Sequence, residues 1–383
     1  MKPSPTITSV RALAAAVADA NAAQTPLRIV GAGHWLGAGR PVDESQALDV
    51  SQLKGVVEYT PGDLTLTALA GTSLEELDAV TQPHGQWLTL DPAGPRSGTL
   101  GATLATASSG PLAASFGTPR DVALGVTFVN GEGEVIQGGG RVVKNVAGFD
   151  LVRLSIGAWG TLGILAEVTV RIRAIPTVDL TVQASVPTGR TALADRLRAY
   201  REAAAAPLAV QLLNGPLARA VGLAGAPTVL IRLAGNPASV AAQRDILHRL
   251  APLDDAPGDV WRRLTESDPR DAYAFRTSIR PSELSEVWSA VQEALGTDGA
   301  ALSAQVTRGS MRVVVPLGAE DSLDTAIMTA RAGGNVVPER LPARLWPTLP
   351  WPTNALMERV RQAFDPNCIL NRGMLGSVGT ATS

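Results

Sequence analysis

The chain has 383 residues, 45% of them hydrophobic and 18% charged, and its 33 basic and 35 acidic side chains leave a net charge of −2. At about 150 residues per domain this length predicts two domains rather than one small core, and the near-neutral charge gives no electrostatic footprint for nucleic acid or an anionic membrane. A single cysteine, Cys368, excludes an internal disulfide, a cysteine-based zinc site and an iron–sulfur cluster built from this chain alone.

The first ten residues show no basic stretch followed by an apolar core, which reads as a cytoplasmic chain. Residues 8–23 place Val10, Leu13 and Val17 on one helical face with Ser9 as a cap, and Pro26 lies just beyond. Short strands are predicted over 27–30, 47–50, 55–59 and 64–70, the first running into the loop Gly31-Ala32-Gly33-His34-Trp35-Leu36-Gly37. Thr72 and Ser73 with Glu75 and Glu76 open a helix to about residue 82, and 87–90 is a further strand. Residues 97–119 lack charge but are crowded with Gly, Ser, Thr and Pro, so they read as loop and turn rather than a membrane span. A hairpin over 122–137 turns at Asn130-Gly131, residues 149–156 are helical, and 162–172 alternates like a strand.

Residues 1–175 thus form one α+β unit of small sheets joined by glycine-rich loops. After Pro176 the texture changes to Ala-rich helices, over 192–204, 240–250 and 281–294, between strands over 179–186, 210–213, 228–233, 274–279, 301–306 and 311–315. This alternation predicts a second domain, residues 176–345, with an antiparallel sheet covered on one side by helices. The tail, 346–383, carries a helix over 353–364 stopped at Pro366 and extended chain at Ile369, Leu370 and Asn371.

The first glycine loop follows a strand, as a dinucleotide fingerprint does, but the third glycine of G-x-G-x-x-G falls at Leu36, and Pro41 blocks the required helix. None of the three lysines follows a glycine, so a Walker ATPase loop is absent. What remains is a loop whose main-chain N–H groups can cradle an anion. A second loop contains Pro92, Gly94, Thr99, Leu100, Gly101 and Thr103 and continues to Ser108, Ser109 and Gly110. Its hydroxyls and amides can hydrogen-bond a diphosphate, or its small residues can pack as a helix. The third cluster is Lys144-Asn145-Val146-Ala147-Gly148-Phe149-Asp150-Leu151, followed by Gly157-Ala158-Trp159-Gly160-Thr161-Leu162-Gly163-Ile164.

The order K-N-x-x-G-F-D-L then G-x-x-G-T-L-G-I resembles the FAD-binding domain of the vanillyl-alcohol oxidase and p-cresol methylhydroxylase fold, and within it the FAD-binding E subunits of bacterial glycolate oxidase. The likeness covers 27–173, including Gly117, Arg120 and Asp121, and returns over 364–371. It implies that the first two loops wrap the FAD pyrophosphate, that Gly163 and Ile164 meet the adenine side, and that Asn371 returns near the isoalloxazine. Lys144, Asn145, Asp150 and Gly160 join this cofactor set by the same resemblance. The tail reads Asn371-Arg372-Gly373 where relatives often have Asn-Pro-Gly, and no His-rich G-D-G-N-x-H metal segment appears in the second domain.

Of the three histidines, His84 reads as a helix-end cap and His248 as a helix-surface residue. His34 occupies the position that bonds the flavin covalently in related G-G-G-H-S loops; with Trp35 after it, a non-covalent FAD is expected, and His34 is a candidate base. Arg276, in Phe275-Arg276-Thr277-Ser278-Ile279-Arg280, is the candidate partner of a substrate carboxylate, against the alternative of a surface arginine on a strand. The resemblance implies oxidation of a short 2-hydroxy acid together with a catalytic flavoprotein and an iron–sulfur subunit, in the cytoplasm or peripheral to the inner membrane through those partners. Free-standing oxidation of another alcohol or sugar acid, and a flavin-less scaffold, are the alternatives.

Overall fold

A computed structural model describes residues 6–42, 45–140, 149–269, 271–296, 299–347 and 354–376. The chain divides into two compact units: Met1–Ser109, Phe116–Ile175 and Trp346–Ser383 form one, Gly110–Ser115 and Pro176–Leu345 the other.

In the first unit, α1 (Val10–Ala22) starts where the Ser9 hydroxyl accepts from Ala12 N (3.2 Å), and its apolar face buries Leu13 and Val17. β1 (Leu27–Val30) and β2 (Gln46–Asp49) pair in parallel. β3 (Val56–Thr60) and β4 (Thr65–Leu69) precede α2 (Leu74–Thr81), which opens on a complete capping box: Glu76 N donates to Ser73 Oγ (3.1 Å) and Ser73 N to Glu76 Oε2 (2.9 Å). β5 (Gln86–Trp87) is only two residues, shorter than the strand expected over 87–90.

The largest departure from the sequence reading falls in 97–119, where the loop is replaced by α3 (Leu100–Thr106), α4 (Ala113–Phe116), most of which counts with the second unit, and α5 (Pro119–Val122). The second alternative for this stretch, a helix of small residues, holds over α3. Thr99 caps it, and a Cβ at Gly101 would stand 2.8 Å from Ala70 Cβ and 2.9 Å from Ala70 O, so only glycine lets the helix approach β4's end this closely. β6 (Ala123–Val129) and β7 (Val135–Gly139) are joined by a turn that Asn130 organises, its Oδ1 accepting from Glu132 N (3.0 Å) and Glu134 N (2.9 Å). α6 (Leu151–Ser155), β8 (Ile164–Arg171) and β9 (Arg173–Ala174) complete this stretch. The main sheet runs β3-β4-β8-β6-β7, antiparallel throughout, and β5 pairs with β9. Leu66, Val126, Phe128 and Val168 pack with Leu77 of α2 and Leu104 of α3 into one core.

The second unit holds β10 (Val178–Ser185), α7 (Arg190–Glu202), β11 (Ala209–Leu213), α8 (Gly215–Ala220), β12 (Thr228–Gly235), α9 (Pro237–His248), β13 (Asp254–Asp255) and α10 (Val260–Glu266). It continues with β14 (Ala272–Ile279), α11 (Leu284–Leu295), β15 (Ala301–Gln305), β16 (Ser310–Pro316), α12 (Glu320–Gly333) and β17 (Gly334–Arg340). Its eight strands form one sheet, β13-β10-β12-β11-β15-β16-β14-β17, whose neighbours pair antiparallel. α11 packs against α7 and α12, and α12 packs on β14 and β17. The chain then returns to the first unit through α13 (Ala355–Phe364). Among the described residues, no helix is long and apolar enough to cross a membrane.

Candidate functional site

A cleft in the first unit is walled by the turn after β1, the start of α3, the Trp159–Gly160 turn ahead of β8, and the C-terminal segment. Its lining includes Gly31, Ala32, Gly33, His34, Trp35, Leu36, Thr99, Gly101, Gly160, Gly163, Ile164 and Asn371 from the sequence-derived set. The two glycine loops meet closely, since a Cβ at Gly31 would come 2.9 Å from Thr99 Oγ1. Ala32 and Gly33 are exposed, and no described residue accepts from their main-chain N–H groups, which suits an anionic ligand. Gly33 has φ +83°, a turn that residues with a side chain seldom take.

The second loop is arranged differently from its reading as a row of free donors. Leu100 N donates to Thr72 O (2.8 Å), Gly101 N to Ala70 O (2.7 Å) and Ala102 N to Thr99 Oγ1 (3.2 Å), so its first amides are spent inside the protein. Leu100 is buried in the core, and Thr103 Oγ1 donates to Thr99 O (3.0 Å). Ser108 Oγ accepts from Ala93 N (3.1 Å), bracing the chain between Pro92 and Gly94. Arg120 donates through Nε (3.1 Å) and Nη2 (3.0 Å) to Ile156 O. Asp121 caps α5 by accepting from Thr118 N (2.8 Å), close to Gly117, and Asp150 caps α6 by accepting from Arg153 N (3.0 Å). Pro92, Gly94, Leu100, Thr103, Ser108, Ser109, Gly117, Arg120, Asp121 and Asp150 do not line the cleft; Gly110 belongs to the second unit, and Lys144 and Asn145 lie outside the described residues, as do residues 353 and 146–148 of the sequence motifs.

His34 lies on the cleft wall with Nε2 3.1 Å from Ser97 Oγ. His84 ends a short 3-10 turn before Gly85 and meets Tyr59 edge-on at 5.3 Å, while His248 Nδ1 accepts from Leu253 N (3.3 Å). Arg276 sits on β14 in the second unit, its Nε 3.5 Å from Glu339 Oε1. Among the described residues no group of three or more His, Cys, Asp or Glu side chains could hold a metal ion.

Arg28 and Trp159 are among the lining residues that the sequence-derived set leaves out. Arg28, on β1, donates through Nη2 to Leu36 O (2.9 Å), bracing the glycine loop from behind, and burial holds its guanidinium below the ordinary value. An arginine inside a short apolar strand just ahead of a glycine loop was the available signal. Trp159 is 5% exposed, adopts φ +55°, and meets Trp35 edge-on at 6.0 Å. A left-handed backbone is costly for a bulky residue, and here Trp159 N donates to Ala105 O (2.9 Å) while its carbonyl accepts from Asn371 Nδ2 (2.8 Å). The cleft thus offers glycine turns, open amides, one arginine and aromatic walls, a donor set that fits a flavin nucleotide.

A fold of this kind, with a cleft closed by glycine turns and a returning tail, defines an FAD-binding domain. The family model described as FAD binding domain matches residues 6–139. The glycolate oxidase subunit GlcE of Escherichia coli (strain K12) is 33% identical over 260 residues, covering 67% of this chain and 68% of that protein. The mitochondrial D-lactate dehydrogenase [cytochrome] of Arabidopsis thaliana is 30% identical over 254 residues, 65% of this chain and 41% of that longer protein. In three dimensions, a p-cresol methylhydroxylase crystal structure superposes with a TM-score of 0.75 at 16% identity, covering 98% of this chain and 88% of that one. The chain belongs to the FAD-dependent oxidoreductase family that includes the glycolate oxidase E subunit, on the vanillyl-alcohol oxidase and p-cresol methylhydroxylase fold.

Proposed function

We propose that the chain is the FAD-binding subunit of a glycolate (2-hydroxy acid) oxidase complex, working with a catalytic flavoprotein and an iron–sulfur subunit. The observation that carries this reading is the cleft formed by the 31–36 turn, α3 and the Trp159–Gly160 turn, in a chain similar to a glycolate oxidase subunit. FAD, when bound, supplies an acceptor for the hydride on Cα of a hydroxy acid.

The chain's own residues hold and orient. Ala32 and Gly33 offer N–H groups to the pyrophosphate, and Arg28 stiffens the turn that carries them while adding positive charge beside it. Trp35 and Trp159 exclude water from one wall, and the Ser97 contact orients the His34 ring, which can take a hydroxyl proton. His34 remains unlinked in this reading, with FAD held non-covalently. Arg276, on β14 of the second unit with Glu339 Oε1 3.5 Å from its Nε, is the candidate for the substrate carboxylate.

With one cysteine the chain has no set of thiols for an iron–sulfur relay, so onward electron transfer falls to a partner. Two measurements test the proposal. The purified chain is expected to be yellow and to lose its flavin on acid precipitation, and Ala32→Trp, which crowds the cleft, to leave it colourless. Co-expressed with its partners it is expected to oxidise glycolate with a dye acceptor far faster than alone. Equal rates for the isolated chain and the assembly would exclude the partner-dependent reading.

A further inference from the structure

Two of the cleft's walls, the glycine turn after β1 and the Trp159–Gly160 turn, are far apart in sequence, yet one side chain ties them. Asn371 Oδ1 accepts from Ile29 N (3.0 Å), two residues before Gly31, and its Nδ2 donates to Trp159 O (2.8 Å). The carboxamide therefore uses both of its polar ends on main chain at opposite walls, and Asn371 itself is only 6% exposed. A Cβ at Gly160 would fall 2.9 Å from Asn371 Nδ2, so the turn is shaped around this amide.

The tail that delivers Asn371 is pinned by its own contacts. Leu27 N donates to Ile369 O (2.7 Å), Asn371 N to Leu27 O (2.9 Å), and Leu27 and Leu370 form a parallel bridge. Asp365, fully buried, accepts from Ile369 N (3.0 Å) and Leu370 N (2.8 Å). Met374 then seats against Gly39 and Arg28 on the cleft wall.

We infer that Asn371 is a positioning residue for the cofactor: its carboxamide sets the spacing of the two turns, so that docking of residues 365–374 and binding of FAD are coupled. Coupling of this kind is reciprocal, FAD stabilising the docked tail by the factor by which the docked tail favours FAD. The inference rests on the assignment of the cleft to FAD.

The test is a titration of deflavinated protein with FAD, read by quenching of flavin fluorescence, beside the melting temperature of each apoprotein. Asn371→Ala is expected to weaken FAD binding about tenfold or more, since two main-chain groups lose their partners. Leu77→Ala, in the core away from the cleft, is expected to lower the melting temperature at least as much while keeping the wild-type Kd. Asn371→Asp keeps the acceptor for Ile29 N but loses the donor to Trp159 O; its affinity should recover toward wild type as pH falls and the acid gains a proton to donate, a recovery Asn371→Ala cannot show. In wild-type protein, FAD should slow hydrogen exchange across residues 365–374.

A wild-type Kd for Asn371→Ala, or an equal loss of affinity in Leu77→Ala, overturns the inference, as does tail exchange indifferent to FAD. The exchange experiment keeps the question answerable if Asn371→Ala does not fold. Failure of wild-type protein to bind FAD, or binding undiminished in Ala32→Trp, would instead strike at the cleft assignment.

Discussion

Asp365 in the first unit and Asp268 in the second are both withdrawn from water, and the partners each finds differ in kind. Asp365 accepts from two main-chain N–H groups, at Ile369 and Leu370, and burial pushes its carboxyl above the ordinary range despite those bonds and the charge of Arg361. Asp268 is also penalised by burial, but Arg312, through Nε (3.0 Å) and Nη2 (2.5 Å), and Arg340, at 3.2 Å, outweigh it and hold the carboxyl below the ordinary range. Arg312 reaches on to Glu339 (2.6 Å), whose other oxygen stands 3.5 Å from Arg276. Burial alone would pull the Arg312 guanidinium down; the two carboxylates raise it instead. The first unit thus uses a buried acid to fix a path of main chain beside a cleft, whereas the second closes buried charges on one another across β14, β16 and β17.

The sharpest way to break this comparison is Arg312→Met, which keeps the bulk and deletes the central cation. Asp268 and Glu339 would then be buried without their main counter-charge, and the second unit should lose about 3–5 kcal/mol in urea unfolding. A loss below about 1 kcal/mol would mean the network is solvated enough to do without it. Asp365→Asn is expected to lose less, about 1–3 kcal/mol, because only one of two main-chain donors is orphaned and no hydrogen-bonded ion pair is broken.

The opposite shifts also predict opposite pH dependences. Asp268 contributes stability that is present above the ordinary carboxylate range and lost as pH falls through its depressed folded value. Asp365 does the reverse: the folded state holds its proton more tightly, so stability declines as pH rises from the ordinary value through the raised one. Unit-resolved melting between about pH 3 and 7 checks this, with Asp268→Asn and Asp365→Asn each flattening the slope of its own unit.

Much of the first unit could be read locally because its signals are local. Ser9, the Ser73 and Glu76 pair and Asn130 each bond main chain within a few residues, and each organises the element its sequence position indicated. The glycine turn at 31–36 was legible for the same reason. What escaped depends on distant partners. The helix α3 forms in a stretch rich in turn-forming residues because Ala70 receives Gly101, and the donors expected to face a ligand there instead bond Thr72 and Ala70. Arg28 and Trp159 gain their places from Leu36, Ala105 and Asn371. The charge network in the second unit joins Asp268 to residues 44 and 72 positions away, and no spacing in the sequence announces it.

The smallest expected effect tests whether a local cap and the cleft are separable. Ser73 begins α2, but its neighbours also touch the cleft-lining loop: Leu74 N donates to Gly98 O (3.0 Å) and Leu100 N to Thr72 O (2.8 Å). Those bonds are main chain and survive Ser73→Ala, which removes only the hydroxyl that Glu76 N donates to and leaves Glu76 able to accept from Ser73 N. The helix should therefore lose about 1 kcal/mol, read as a shift in thermal unfolding, while the FAD Kd stays at the wild-type value. A weakened Kd at this cost would show that the start of α2 and the loop it touches move as one, and that the first unit binds its cofactor through a wider part of its core than the cleft walls.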